Sequence, residues 1–136
     1  MQTSSDGQFT EVVSRYDFET TLLHLERVIA NAGLRIFARI DHAAGAREFD
    51  MEMPPTIVLI YGHPKGGTPL MLTHPDAAFD LPLKLLVRVR ADGKTSVLFR
   101  PIVSVLAAAG VPADQASRLA PAQNLITAAL KDHPAN

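Results

Sequence analysis

TIVLIYGHPKGGTPLMLT, residues 56–73, runs from an unbroken apolar stretch into a glycine-rich corner and then back into apolar residues. Its first seven positions, TIVLIYG, carry almost no polar side chain, as expected of an inner strand covered on both faces. The corner after it, GHPKGGTP (62–69), carries the turn chemistry of a strand-to-helix junction. A helical turn is expected from Thr68 to His74, with Thr68 as its cap and Pro69 at its first position. A strand leading through glycines into a helix also raises the question of a phosphate site. A Walker A loop, however, needs its lysine directly before the Ser/Thr that opens the helix. Here Lys65 precedes both Gly66 and Gly67, and Pro64 has no amide proton to offer. Two readings stay open. In one, the amides of Gly66, Gly67 and Thr68 face an anion at a helix start with Lys65 beside them. In the other, the segment is a turn and Lys65 points into solvent.

The flanking sequence supplies strands on both sides of this one. LRIFARI (34–40) alternates, with Leu34, Ile36, Ala38 and Ile40 on one face and Arg35, Phe37 and Arg39 on the other. LKLLVRVR (83–90) alternates too, and Asp92-Gly93 suits the positive φ of a tight hairpin returning as TSVLFR (95–100). Further upstream, FTEVVSR (9–15) reads as a first strand. Phe18, Leu22, Leu25, Ile29 and Ala32 then form a helical stripe between an Asp17 N-cap and a Gly33 terminator. Asp41 is placed to cap a short helical piece, DHAAGAREF. After Pro101 the chain turns helical until near Gly110, and residues 121–131 read as a last helix. Residues 1–8 and 132–136 are expected to be tails around a single domain, 9–131. This order describes an α+β fold: one antiparallel-dominated sheet with its helices on one face, β-α-β(4)-α with short helical inserts.

Composition narrows the chemistry. The absence of cysteine among the 136 residues excludes a disulfide scaffold, a thiolate nucleophile and cysteine-based metal sites. A formal charge of −1 offers no general attraction for nucleic acid or an anionic membrane. No apolar run approaches the roughly 20 residues of a spanning helix, and MQTSSDGQ lacks a signal-peptide core, so a cytoplasmic location is expected. His24 is expected on the solvent side of its helix, and His42, His63 and His74 come from separate loops without the spacing of a zinc pair. No metal and no cofactor are expected.

Three stretches in combination, RIDHAAGA (39–46), PPTIVLIYGHPKGGTPLM (54–71) and DLPLKLLV (80–87), resemble the DUF302 family, over roughly residues 9 to 130. His63 stands where the family more often has asparagine. The resemblance implies a TBP-like α+β fold, a tendency to form homodimers, and no particular chemistry. It adds interest to Asp41, His42, Asp80 and Lys84, four residues expected to meet Lys65 at one end of the sheet.

The candidate site is therefore Asp41, His42, Tyr61, Gly62, Pro64, Lys65, Gly66, Gly67, Thr68, Asp80 and Lys84, binding a small anionic or polar ligand. The candidate catalytic residues are His42 and Asp80; the competing enzyme reading takes His42 as general base with Lys65 stabilising charge. A third reading uses the other sheet face, where Arg35, Phe37, Arg39, Lys84, Leu86, Arg88, Arg90, Leu98 and Arg100 are expected. With Phe37 its only aromatic, that face suits a second subunit better than stacked nucleic-acid bases.

Overall fold

The structure is a computed structural model that describes residues 3–5 and 8–131. Its centre is a six-stranded antiparallel sheet in the order β1-β2-β6-β5-β4-β3. The strands are β1 (Thr3–Ser5), β2 (Thr10–Val13), β3 (Arg35–Asp41), β4 (Thr56–Gly62), β5 (Leu83–Val89) and β6 (Thr95–Phe99). β1 lies within the expected N-terminal tail and adds a short edge to β2. The rest of that tail, apart from Gln8, and the C-terminal one lie outside the described residues.

The helices follow the local signals closely. Asp17 caps α1 (Phe18–Asn31) by accepting from the Thr20 amide at 2.8 Å, and Gly33 turns the chain out at φ +80°. Asp41 caps α2 (His42–Arg47) through the Ala44 amide at 2.9 Å. The β5–β6 hairpin closes with Gly93 at φ +85° and the Lys94 amide donating to Asp92. That bond holds the Asp92 carboxyl below the usual carboxylate range. The later helices are α3 (Pro64–Thr73), α4 (Ile102–Ala107), α5 (Ala113–Ala116) and α6 (Ala120–Lys131).

One face of the sheet carries the core. Leu59 and Tyr61 of β4, Leu85 and Val87 of β5, and Val97 of β6 are buried against Leu22, Leu25 and Ile29 of α1 and Ile126 and Leu130 of α6. Burying one such side chain contributes about 1.5 to 3 kcal/mol. Gln123 of α6 ties this layer together, donating to the Arg100 carbonyl at 2.7 Å and accepting from the Ile102 amide at 2.8 Å.

Four expectations change. β4 is covered on one face only: Val58 and Ile60, on the other, stay half-exposed. His24 is not solvated but turned to α6, its Nε2 lying 3.2 Å from the Ala129 carbonyl oxygen. The corner helix starts at Pro64 rather than Thr68, because proline fits a first helical position and His63 can cap it. Most consequential, the alternation of β3 breaks. Ile36 pairs with Tyr61 but Ala38 pairs with Ile60, so Phe37 is an extra residue, a β-bulge. Everything after it changes face. Arg39 is carried to the helix side, where it meets Glu26 of α1 at 3.4 Å, and Ile40 is carried to the bare side, 41% exposed.

Candidate functional site

The glycine-rich corner has its own internal accounting. Pro64 brings no amide proton to the first turn of α3. His63 Nδ1 accepts from the Lys65 amide at 3.0 Å, and the His63 carbonyl accepts from Gly66 at 3.0 Å and Gly67 at 3.3 Å. The donors a phosphate loop would aim outward are therefore used at home. The amides of Lys65, Gly66 and Gly67 are thus bonded within the corner itself.

The glycines have a different purpose. A β-carbon on Gly66 would come within 3.1 Å of Leu119, which lies in the turn before α6. Gly62, at φ +152°, passes close to Pro82, 3.5 Å from where its β-carbon would be. Gly66 thus lets the corner approach Leu119 more closely than a larger residue would, while Gly62 supplies a positive φ that other residues rarely adopt.

Around this corner opens the principal cleft, of about 780 Å³. Its floor is residues 62–68, and its walls come from the end of α1 and start of β3 (32–34 and 37), from 81–83, and from 118–125. Such a volume lies in the range that takes an organic ligand. Its surface is largely hydrocarbon: Leu34, Phe37, Met71, Leu119 and Leu125 face it. The ionisable side chains that line it are Lys65, Arg118 and His63, with no carboxylate among them. Lys65 and Arg118 are neighbours in sequence of Gly66 and Leu119, the pair in closest approach, so the two cationic residues belong to adjoining parts of the lining. Both are exposed, and neither forms an ion pair among the described residues.

Of the residues expected in the site, Gly62, Pro64, Lys65, Gly66, Gly67 and Thr68 line the cleft. Tyr61 lies just beneath it, fully buried, its hydroxyl donating to the Ala122 carbonyl at 2.9 Å. Asp80 and Lys84 flank the right end of the sheet, since Leu83 pairs with Tyr61. They do not line the cleft, and Asp80 pairs with neither Lys65 nor Lys84.

Asp41 and His42 do not join them at all. Asp41 pairs with Ile57, at the opposite end of β4 from Gly62. Five residues of strand separate those ends by about 17 Å. The expectation of one meeting point failed because β3 runs antiparallel to β4, so the end of one lies beside the start of the other. His42 and Lys65 therefore do not form an acid–base pair.

Phe37, Arg118, Met71, Leu119 and Leu125 were not foreseen in the cleft. A glycine pair inside a helix signals that something packs closely there, yet it does not name Leu119. Nothing in the sequence marks Arg118. Among the described residues, no three His, Asp or Glu side chains are grouped to hold a metal ion. No helix among the described residues is long and apolar enough to cross a membrane.

A family model described as "Domain of unknown function DUF302" matches residues 10–132, almost the whole described chain. The chain belongs to the DUF302 family. A crystal structure of an uncharacterized conserved DUF302 protein from Bacillus stearothermophilus superposes with a TM-score of 0.78, covering 90% of this chain and 95% of that one. At 16% identity it speaks for the DUF302 fold alone. Among curated relatives, Fluoride-specific ion channel FluC 1 of Brucella suis biovar 1 (strain 1330) is 38% identical over 92 residues, 65% of this chain and 35% of that protein. Fluoride-specific ion channel FluC 2 of Brucella melitensis biotype 1 is 38% identical over 92 residues, 33% of its length. This DUF302 chain thus spans about a third of the curated relatives it matches.

Proposed function

We propose that this domain binds a small anionic molecule in the cleft floored by residues 62–68. The observation that carries the reading is the cleft's one-sided charge: Lys65 and Arg118 in its lining, His63 in its floor, and no acid among the lining residues. Arg118 offers a planar fork to a carboxylate or phosphate, and Lys65 adds a mobile point charge. With the helix-start amides spent on His63, these two side chains hold the anion. The channel relatives make fluoride one anion to include in the test. Fluoride is compact and strongly hydrated, so hydrocarbon walls offer it little.

The test is thermal unfolding with fluoride, phosphate, acetate and larger carboxylates, on the wild type and on Lys65→Ala/Arg118→Ala. A bound anion at 100 times its Kd stabilises by about 2.7 kcal/mol. A rise in Tm that the double variant loses supports the reading. No shift with any anion, or an equal shift in both proteins, sinks it.

A second reading concerns assembly, and it rests on the bare sheet face. Ile40, Val58, Ile60, Leu86 and Leu98 form a half-exposed apolar row there. A second copy related by a two-fold axis would bury that row on both subunits at once. Light scattering at increasing concentration should give twice the monomer mass, and Ile60→Lys should return the monomer. A monomer at all concentrations would count against the dimer.

A further inference from the structure

We infer that the anion taken by the cleft carries a hydrocarbon body: the ligand class is an aliphatic carboxylate of medium chain length. This rests on the anion-binding reading above and adds what surrounds the charge.

Three observations converge on it. The first is the division of the cleft into two chemistries. Lys65 and Arg118 adjoin in sequence the Gly66–Leu119 contact, while Leu34, Phe37, Met71 and Leu125 supply walls without a charge. A ligand that satisfies both must itself be divided, with a charged head and an apolar remainder.

The second is Phe37. It stands 46% exposed, and as the bulged residue it lines the cleft instead of continuing the strand's alternation. A bulge that re-aims a side chain costs the strand a paired position. Leaving an aromatic ring in water gains nothing in return; covering it with a hydrocarbon chain does. Met71 lies on the opposing helix, and its unbranched thioether adapts to chains of different outline.

The third is what the corner does not offer. A phosphate ester or nucleotide needs several convergent donors, and the amides that would supply them are bonded to His63. A carboxylate needs only two parallel donors from a guanidinium, with the ammonium beside them. The cleft's volume, about 780 Å³, leaves most of its space for the part of the ligand that is not the head.

The experiment is isothermal titration of the intact chain with acetate, hexanoate, octanoate and decanoate, with 1-octanol and inorganic phosphate as controls. Affinity should rise by about fourfold for each methylene that enters the cleft. Octanoate should bind at least tenfold more tightly than 1-octanol. Phe37→Ala should flatten the dependence on chain length, and Lys65→Ala/Arg118→Ala should bring octanoate down to the alcohol. All three side chains are exposed, so these variants retain the core that folds the domain.

The failures are distinguishable. If acetate and decanoate bind equally, or phosphate binds more tightly than octanoate, the hydrocarbon body is refuted and the anion site stands. If 1-octanol matches octanoate, or nothing binds, both readings fall.

Discussion

Tyr61 shows how much one side chain can be asked to do. It lies at 0% exposure below the cleft, and its hydroxyl donates to Ala122 of α6. Burial raises its pKa well above the ordinary phenol value, because a phenolate would lose its water there. The sign of the pH effect follows. Native Tyr61 stays protonated while the unfolded phenol ionises from about pH 10, so the unfolded state is favoured as pH rises beyond that point. Urea unfolding from pH 8 to 11.5 should show the wild type losing stability more steeply than Tyr61→Phe. The variant itself should cost about 1 kcal/mol near pH 8, for one lost hydrogen bond. A tyrosine ending an apolar strand advertises burial in the sequence, and Lys65 with its glycines advertises a corner. His63 does not advertise its capping role: an imidazole accepting from the amide two residues on depends on a rotamer, which no spacing rule specifies.

Elements were more legible than their ends. The stripe from Phe18 to Ala32, the Asp17 and Asp41 caps and the Asp-Gly hairpin all read correctly, since each is a local signal acting within a few residues. α3 begins four residues before the expected Thr68: Gly66-Gly67 disfavours helix locally, and packing against Leu119 overrides that preference. The insertion in β3 was invisible, because RIFARI alternates as well as any regular strand. Gln123 belongs to this scale too, joining three elements through two bonds. Gln123→Ala would strand the buried Ile102 amide and the part-buried Arg100 carbonyl. At about 1 to 3 kcal/mol for each unsatisfied group, a loss of about 2 to 6 kcal/mol is expected in chemical denaturation. A loss below about 1 kcal/mol would mean that water replaces the amide.

Taken whole, the molecule keeps its two ionisable ends apart. Asp41 and His42 belong to the β3–α2 junction, Lys65 and Arg118 to the cleft, with the length of β4 between them. Sites so far apart with no shared partner behave additively. Asp41→Ala should lower stability by about 1 kcal/mol through its lost cap, and His42→Ala by less. Both should leave the anion-dependent rise in Tm unchanged; a changed rise in either would join the two ends. The third sequence reading, a basic sheet surface, is also thinned. Arg39 is occupied by Glu26, Arg90 by Glu11 and Asp92, and Arg100 lies over the Phe9 ring. The extra residue at Phe37 has a further meaning for the family's diversity. A chain one residue shorter there would pair regularly with β4, would leave Arg39 and Ile40 on the faces they now occupy, and would lose the aromatic wall in the same stroke. Counting residues between the glycine that ends the first helix and the aspartate that opens the second would therefore separate relatives with room for the bulge from those without it.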